Sequence, residues 1–166
     1  MRPRWAVHAD GRLGRGGGRV DAIALLKEDH VKVKKMLAAL EGTTERAVKT
    51  RQEGLAELKR ELRIHEAIEE EIFYPALKQH AEAKEIVLEA YEEHDVVDTI
   101  MGEIERTPVE DERWAAKFKV MKENLEHHIE EEEGEMFKHA RDVFDRETLE
   151  ELGRQMKERK DAGLAA

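Results

Sequence analysis

Two stretches constrain this chain more than any other part of it: Leu62 to Pro75, LRIHEAIEEEIFYP, and Leu125 to Phe137, LEHHIEEEEGEMF. Each holds a histidine followed four residues later by a glutamate, His65 with Glu69 and His128 with Glu132. On a helix, four residues advance about 6 Å and slightly more than one turn, so both side chains project from one face. An imidazole nitrogen and a carboxylate stacked in that way can grip a metal ion. Two such stacks facing each other across a bundle can hold a pair.

The rest of the sequence supplies the bundle. The 166 residues are 41% charged and 5% aromatic with three prolines, a mix that favours long amphipathic helices over sheets. Ile23, Leu26, His30, Val33 and Leu37 step by three and four, which predicts a first helix. Gly42 ends it as the C′ residue, and Thr43 or Thr44 is expected to cap the next. Leu55, Leu58, Leu62, His65, Glu69 and Ile72 line the second helix until Pro75 kinks or interrupts it. A third helix is expected from about Ala83 to Glu105, with Ile86 or Val87, Ala90, His94, Val97 and Met101 inward. Thr107-Pro108-Val109-Glu110 has the form of a capping box opening a fourth helix, lined by Trp114, Phe118, Met121, Leu125, His128, Glu132 and Met136. A short C-terminal helix can start at Asp145, with Phe144 and Leu149 spaced as a hydrophobic staple. Short connections make neighbours antiparallel. The fold class is all-α, an up-down-up-down four-helix bundle with a short C-terminal helix, occupying residues 20–160.

The pattern repeats. His30 and His94 are 64 residues apart and His65 and His128 are 63 apart, so the second half restates the first about a pseudo-two-fold axis. Each helix places one histidine among its apolar positions, and the second and fourth add Glu69 and Glu132 one turn on. A buried carboxylate costs several kcal/mol unless it is paired or coordinated. Six polar residues converging on one layer therefore need a common partner, and two divalent cations supply it. The mixed nitrogen and oxygen set suits iron or manganese, and zinc can also occupy it. His127 and Glu131 form a second pair with the same spacing, but they lie about 100° around the helix from the face set by Met121, Leu125 and Met136. His8, His80, His127 and His139 read as ordinary surface residues.

The order H…HxxxE…H…HxxxE on four helices, opened by DAIALLKEDH and carrying HEAIEEEIFYP, resembles the hemerythrin-like HHE cation-binding domains over about residues 20–140. The resemblance implies a four-helix bundle with a non-heme di-iron centre, two iron ions cycling between Fe2+ and Fe3+. It implies His30, His65, Glu69, His94, His128 and Glu132 as ligands. Hemerythrins proper carry a further histidine where this chain has Asp98, and space the last carboxylate so that it would fall on Glu133. One imidazole fewer leaves positions for water, or for Asp98, Glu66, Tyr91 or Glu133. Val33, Leu62, Val97, Met101 and Leu125 are candidates for the wall of an apolar pocket beside the metals. The expected partner is O2 or peroxide: the centre binds O2 or senses oxygen or iron, or alternatively decomposes hydrogen peroxide. A structural zinc site or a metal-free helical interaction module is the remaining reading.

A net charge of −10 argues against nucleic acid or anionic lipid as partner. With no cysteine, disulfides, iron–sulfur clusters and thiol catalysis are excluded. No apolar run approaches the roughly 18 residues of a membrane span, and the cytoplasm is the default compartment. Residues 1–19 differ from the rest. MRPRWAVHADGRLGRGGGR has five arginines against one aspartate, a charge of +4 that leaves −14 for the remainder. No apolar run comes after the arginines, so it does not read as a secretory signal. It is expected to be a disordered tail, or a start-site artefact with translation beginning near Val20.

Overall fold

A computed structural model describes residues 20–165; the expectations for the basic segment 1–19 lie outside them. Four helical rods and a fifth helix make up the described chain. The first rod is α1 (Ala22–Glu41). The second is α2 (Val48–Ile68), which runs on through a π-helical turn (Glu69–Phe73) into α3 (Tyr74–Leu77). A 3-10 turn (Ala81–Ala83) leads into α4 (Lys84–Glu105). The fourth rod is α5 (Glu112–Glu131), a second π turn (Glu132–Met136) and α6 (Phe137–Val143). The fifth, α7 (Arg146–Ala165), packs along α1 and α2. No helix among the described residues is long and apolar enough to cross a membrane.

Helix starts depend on side-chain chemistry. Asp21 accepts from the Ala24 N–H at 2.8 Å, Asp111 from the Arg113 N–H at 2.9 Å and Asp145 from the Thr148 N–H at 2.8 Å, each satisfying a donor that the first turn leaves free. Two expected caps do not form. α2 begins at Val48 after Ala47, which makes no side-chain cap. The Thr43 hydroxyl donates instead to the Leu40 carbonyl at the end of α1 and accepts from Arg51. Thr107 likewise closes α4, donating to the Glu103 carbonyl, and α5 starts four residues later at its Asp111 cap rather than at Pro108. In both places the threonine hydroxyl turns back to a carbonyl in the last turn of the preceding helix rather than forward to an N–H of the next. Gly42 does end α1, with ordinary right-handed backbone (φ −73°).

Burial divides into two apolar clusters, one at each end of the bundle. One gathers Leu26, Ile68, Phe73, Tyr74, Leu77, Val87, Phe137 and Met156; the other gathers Val33, Leu37, Leu58, Leu62, Val97, Met101, Trp114, Phe118, Met121 and Leu125. Each fully buried leucine here contributes about 1.5–3 kcal/mol by leaving water. The expected histidines and glutamates fill the layer between the clusters. The π turns shift the register of the helix beyond them. In the second rod Phe73 and Tyr74 are fully buried, while Ile72, which plain 3.6 periodicity puts inward, is only half-buried. A π turn holds an extra residue, so everything beyond Glu69 rotates relative to an unbroken helix.

α7 seats on the bundle through Leu149, Leu152, Met156 and Gly153. A β-carbon on Gly153 would lie 2.2 Å from the Val20 carbonyl oxygen and 2.8 Å from the Ala22 nitrogen, both main-chain atoms with no rotamer to yield. Gly153→Ala should therefore lift α7 off the start of α1 and lower stability by about 1–3 kcal/mol. Gly134, exposed with nothing within 4 Å of its virtual β-carbon, should accept alanine with a small gain. Urea denaturation of the two variants checks the contrast.

Candidate metal centre

All four rods deliver one histidine each to the layer between the apolar clusters. His30, His65, His94 and His128 are 1–5% exposed, and Glu69 and Glu132 are 0% and 1% exposed. These carboxylates open the two π turns, and each main-chain carbonyl accepts from the residue five positions on, Tyr74 and Phe137 respectively. Pro75, with no N–H to give, suits the first π turn, but the second contains no proline. Both π turns therefore share a carboxylate at their first position, and proline is incidental to the pattern.

The polar atoms fall into two overlapping groups whose ligand atoms lie within 4.8 Å of one another: His30, His65, Glu69 and Glu132, and then Glu69, His94 and His128. Glu69 belongs to both. Its Oε1 is 3.1 Å from His65 Nε2 and its Oε2 is 3.4 Å from His94 Nε2. Glu132 Oε2 lies 3.2 Å from His30 Nε2 and 3.6 Å from His128 Nε2. Every imidazole turns Nε2 to the centre and Nδ1 outward to a carboxylate. The outer partners are Glu133 for His30 at 2.8 Å, Asp29 for His65 at 3.3 Å, Glu70 for His94 at 2.7 Å and Glu93 for His128 at 2.7 Å. A histidine whose Nδ1–H is taken by a carboxylate presents the Nε2 lone pair, the arrangement that orients metal-binding imidazoles.

The donor set fits cations. His30 Nε2, Glu69 Oε1 and Glu132 Oε2 are buried with no hydrogen-bond partner, although oppositely charged atoms lie close to each. His94 Nε2 and His128 Nε2 meet at 3.1 Å while both Nδ1 atoms are committed to carboxylates, so two lone pairs face each other. Leaving buried polar groups in that condition costs about 1–3 kcal/mol each, more for charged ones. Without a cation, protons take up part of the charge. Burial alone would lower the His94 pKa, but Glu69 and Glu70 outweigh it and hold it at about 9. Burial likewise opposes the charged form of His65, yet Glu69 and Asp29 keep it well above the usual histidine range. The same contacts pull the Glu69 carboxyl well below the usual carboxylate range despite its burial.

One residue at the centre is absent from the sequence-based set. Tyr74, fully buried, donates its hydroxyl to Glu132 Oε1 at 2.7 Å and lies 3.4 Å from both Glu69 Oε2 and His94 Nε2. Burial and the two glutamates raise its pKa well above the usual phenol range. Its counterpart across the pseudo-two-fold is Phe137, whose ring stacks on His30 at 5.9 Å between centroids and 3° between planes. Both residues stand nine positions after their histidines, His65 and His128, but that spacing does not show the tyrosine turning inward, because the π turn sets its direction. The expected extra donors lie elsewhere. Asp98 is exposed, Tyr91 reaches the Glu70 carbonyl at 3.5 Å, Glu133 sits behind His30, and Glu66 is buried outside both groups with its pKa raised by burial to about 7. His127 is exposed and pairs with Glu131, as its place off the apolar face suggested.

With that geometry in place, the comparisons with known proteins agree. The model of the hemerythrin HHE cation binding domain matches residues 21–140, and the chain belongs to that family. It is a hemerythrin-like metal-binding domain. Among solved structures it is similar to a hemerythrin HHE cation binding domain-containing protein from Mycobacterium kansasii. The two are 31% identical, with a TM-score of 0.78 over 87% of each chain. No curated protein sequence matches significantly.

Removing the Tyr74 hydroxyl isolates its role. Tyr74→Phe strips Glu132 Oε1 of its donor inside the core and should cost the metal-free protein about 1–3 kcal/mol. Urea unfolding in the presence of a chelator measures this, and an unchanged midpoint would show the contact to be inconsequential.

Proposed function

We propose that this chain is a non-heme di-iron protein that binds O2, or senses oxygen or iron through it. The ligands in this reading are His30, His65, Glu69, His94, His128 and Glu132. The observation that carries the proposal is the position of Glu69, with one carboxylate oxygen in each histidine group. A carboxylate so placed suits two cations rather than one. Six protein donors for two ions leave coordination positions free for water or a small ligand, whereas a closed structural zinc site fills all four.

A pair of ferrous ions supplies two electrons together, so that O2 can be engaged without release of a one-electron product. The chain's own part is to hold and insulate. The outer carboxylates fix each imidazole in the tautomer that presents Nε2. Val33, Leu62, Val97, Met101 and Leu125, all 2–4% exposed, form an apolar wall above the layer that keeps water out. Tyr74 holds a proton on the inner side, aimed at Glu132.

That phenol favours a second reading, decomposition of hydrogen peroxide, because a buried O–H at the centre could donate a hydrogen bond to a peroxide oxygen. Both readings are tested by one sequence of measurements. Anaerobic loading with ferrous iron should give two irons per chain, and admission of O2 should bring a near-ultraviolet ferric absorption. His65→Ala and Glu132→Ala should each lose that stoichiometry. Oxygen evolution from added hydrogen peroxide at a catalytic rate would move the assignment to the second reading. Iron binding no better than a control, with tight zinc binding instead, would overturn both.

A further inference from the structure

The four histidines share one arrangement behind them with a single exception. Glu133, Glu70 and Glu93, which back His30, His94 and His128, are 33%, 40% and 20% exposed, and none pairs with a lysine or arginine among the described residues. Asp29, which backs His65, is different. It is only 8% exposed, and its second oxygen, Oδ1, carries the ammonium of Lys160 from α7. Lys160 is itself mostly buried, at 17% exposed. The neighbouring residue on α7, Arg159, grips Glu71 in the first π turn with two hydrogen bonds at 2.7 and 2.9 Å. α7 therefore reaches both elements that flank His65: α1 through Asp29, and the turn opened by Glu69 through Glu71. This helix lies beyond residues 21–140, the span of the matched family domain.

A carboxylate behind a metal-binding imidazole makes it a stronger donor, because it draws the Nδ1 proton and leaves more electron density on Nε2. A lysine sharing that carboxylate undoes part of the effect, and its charge acts across a poorly screened interior. Of the four imidazoles, His65 alone has its outer carboxylate neutralised in this way.

We propose that Lys160 is a positioning residue of the metal centre. Through Asp29 it orients the His65 imidazole and weakens it as a donor. The metal position served by His30, His65, Glu69 and Glu132 is thereby less electron-rich than the same donors would make it without Lys160. The inference rests on the two-metal reading above and adds to it that the helix outside the family domain tunes one of the two positions and not the other.

The test uses the full chain and three variants. Lys160→Met keeps the apolar stem and removes the charge. Lys160→Arg restores the charge. Arg159→Met removes the same charge from the same helix without touching Asp29, and so controls for general electrostatics and for loosening of α7. Iron content, the reduction potential of the iron pair, and the thermal midpoint of the metal-free protein are measured for each. Lys160→Met should still bind two irons but shift the potential to a lower value, since ferric iron gains from the freed Asp29 charge. Lys160→Arg should return most of that shift, and Arg159→Met should leave the potential near wild type even where it lowers the thermal midpoint. Asp29→Ala, which removes the link itself, should weaken binding of one of two cobalt(II) ions about 10–100-fold and leave the other unchanged. Equal potentials in wild type and Lys160→Met, or an equal shift in Arg159→Met, would overturn the assignment while leaving the two-iron reading intact. Failure of the wild-type chain to bind two irons would remove that reading first and this one with it.

Discussion

Two carboxylates buried among four imidazoles are the constraint on which the rest of the structure turns. A helical bundle of this size has every reason to fill its central layer with leucine, and Glu69 and Glu132, at 0% and 1% exposed, occupy that layer instead. Hydrogen bonding within the protein does not satisfy them: an oxygen of each, and the inner nitrogen of His30, stay without a partner. The apolar clusters on either side must supply the stability that the layer lacks. Charge that would be ruinous at a random core position is tolerable here because a cation can replace the water that was lost. Strain of this kind concentrates where function does.

The two halves of the chain repeat, yet the centre they build is not symmetric. Both halves bring a histidine, an HxxxE pair and a π turn. They differ where the repeat meets the centre: Tyr74 places a hydroxyl on Glu132, while Phe137 stacks its ring on His30. α7 adds to the difference, since it packs on α1 and α2 and has no counterpart against α4 and α5 among the described residues. In the proposed two-metal reading, one cation would meet a group of four donors and the other a group of three. Inequality between the positions is thus built from ordinary side chains around a nearly symmetric frame.

Much of this was legible in sequence, for reasons that lie in particular residues. Long helices with apolar residues at three and four reveal their inward face, so the spacing of Ile23, Leu26, His30, Val33 and Leu37 places His30 in the core, where the structure has it. The choice of His128 over its neighbour His127 comes from the same arithmetic, and exposure separates the two. Caps were harder to place, because Thr43 and Thr107 each have a helix end behind them as well as one ahead. The π turns were invisible, since no residue type marks them; what the two share is a buried glutamate at the first position. With them went the burial of Phe73 and the inward turn of Tyr74. The outer shell of Asp29, Glu70, Glu93 and Glu133 was hidden for another reason: in a chain with 39 acidic residues, only geometry tells a carboxylate behind a histidine from one in water.

The central claim is that Glu69 is shared between two metal ions, and anomalous scattering at the iron edge from crystals of the iron-loaded protein tests it most directly. Two peaks about 3.5–4 Å apart, one beside His30 and His65 and the other beside His94 and His128, with a Glu69 oxygen on each, are expected. A single peak, or two peaks with Glu69 bound to only one of them, would contradict it.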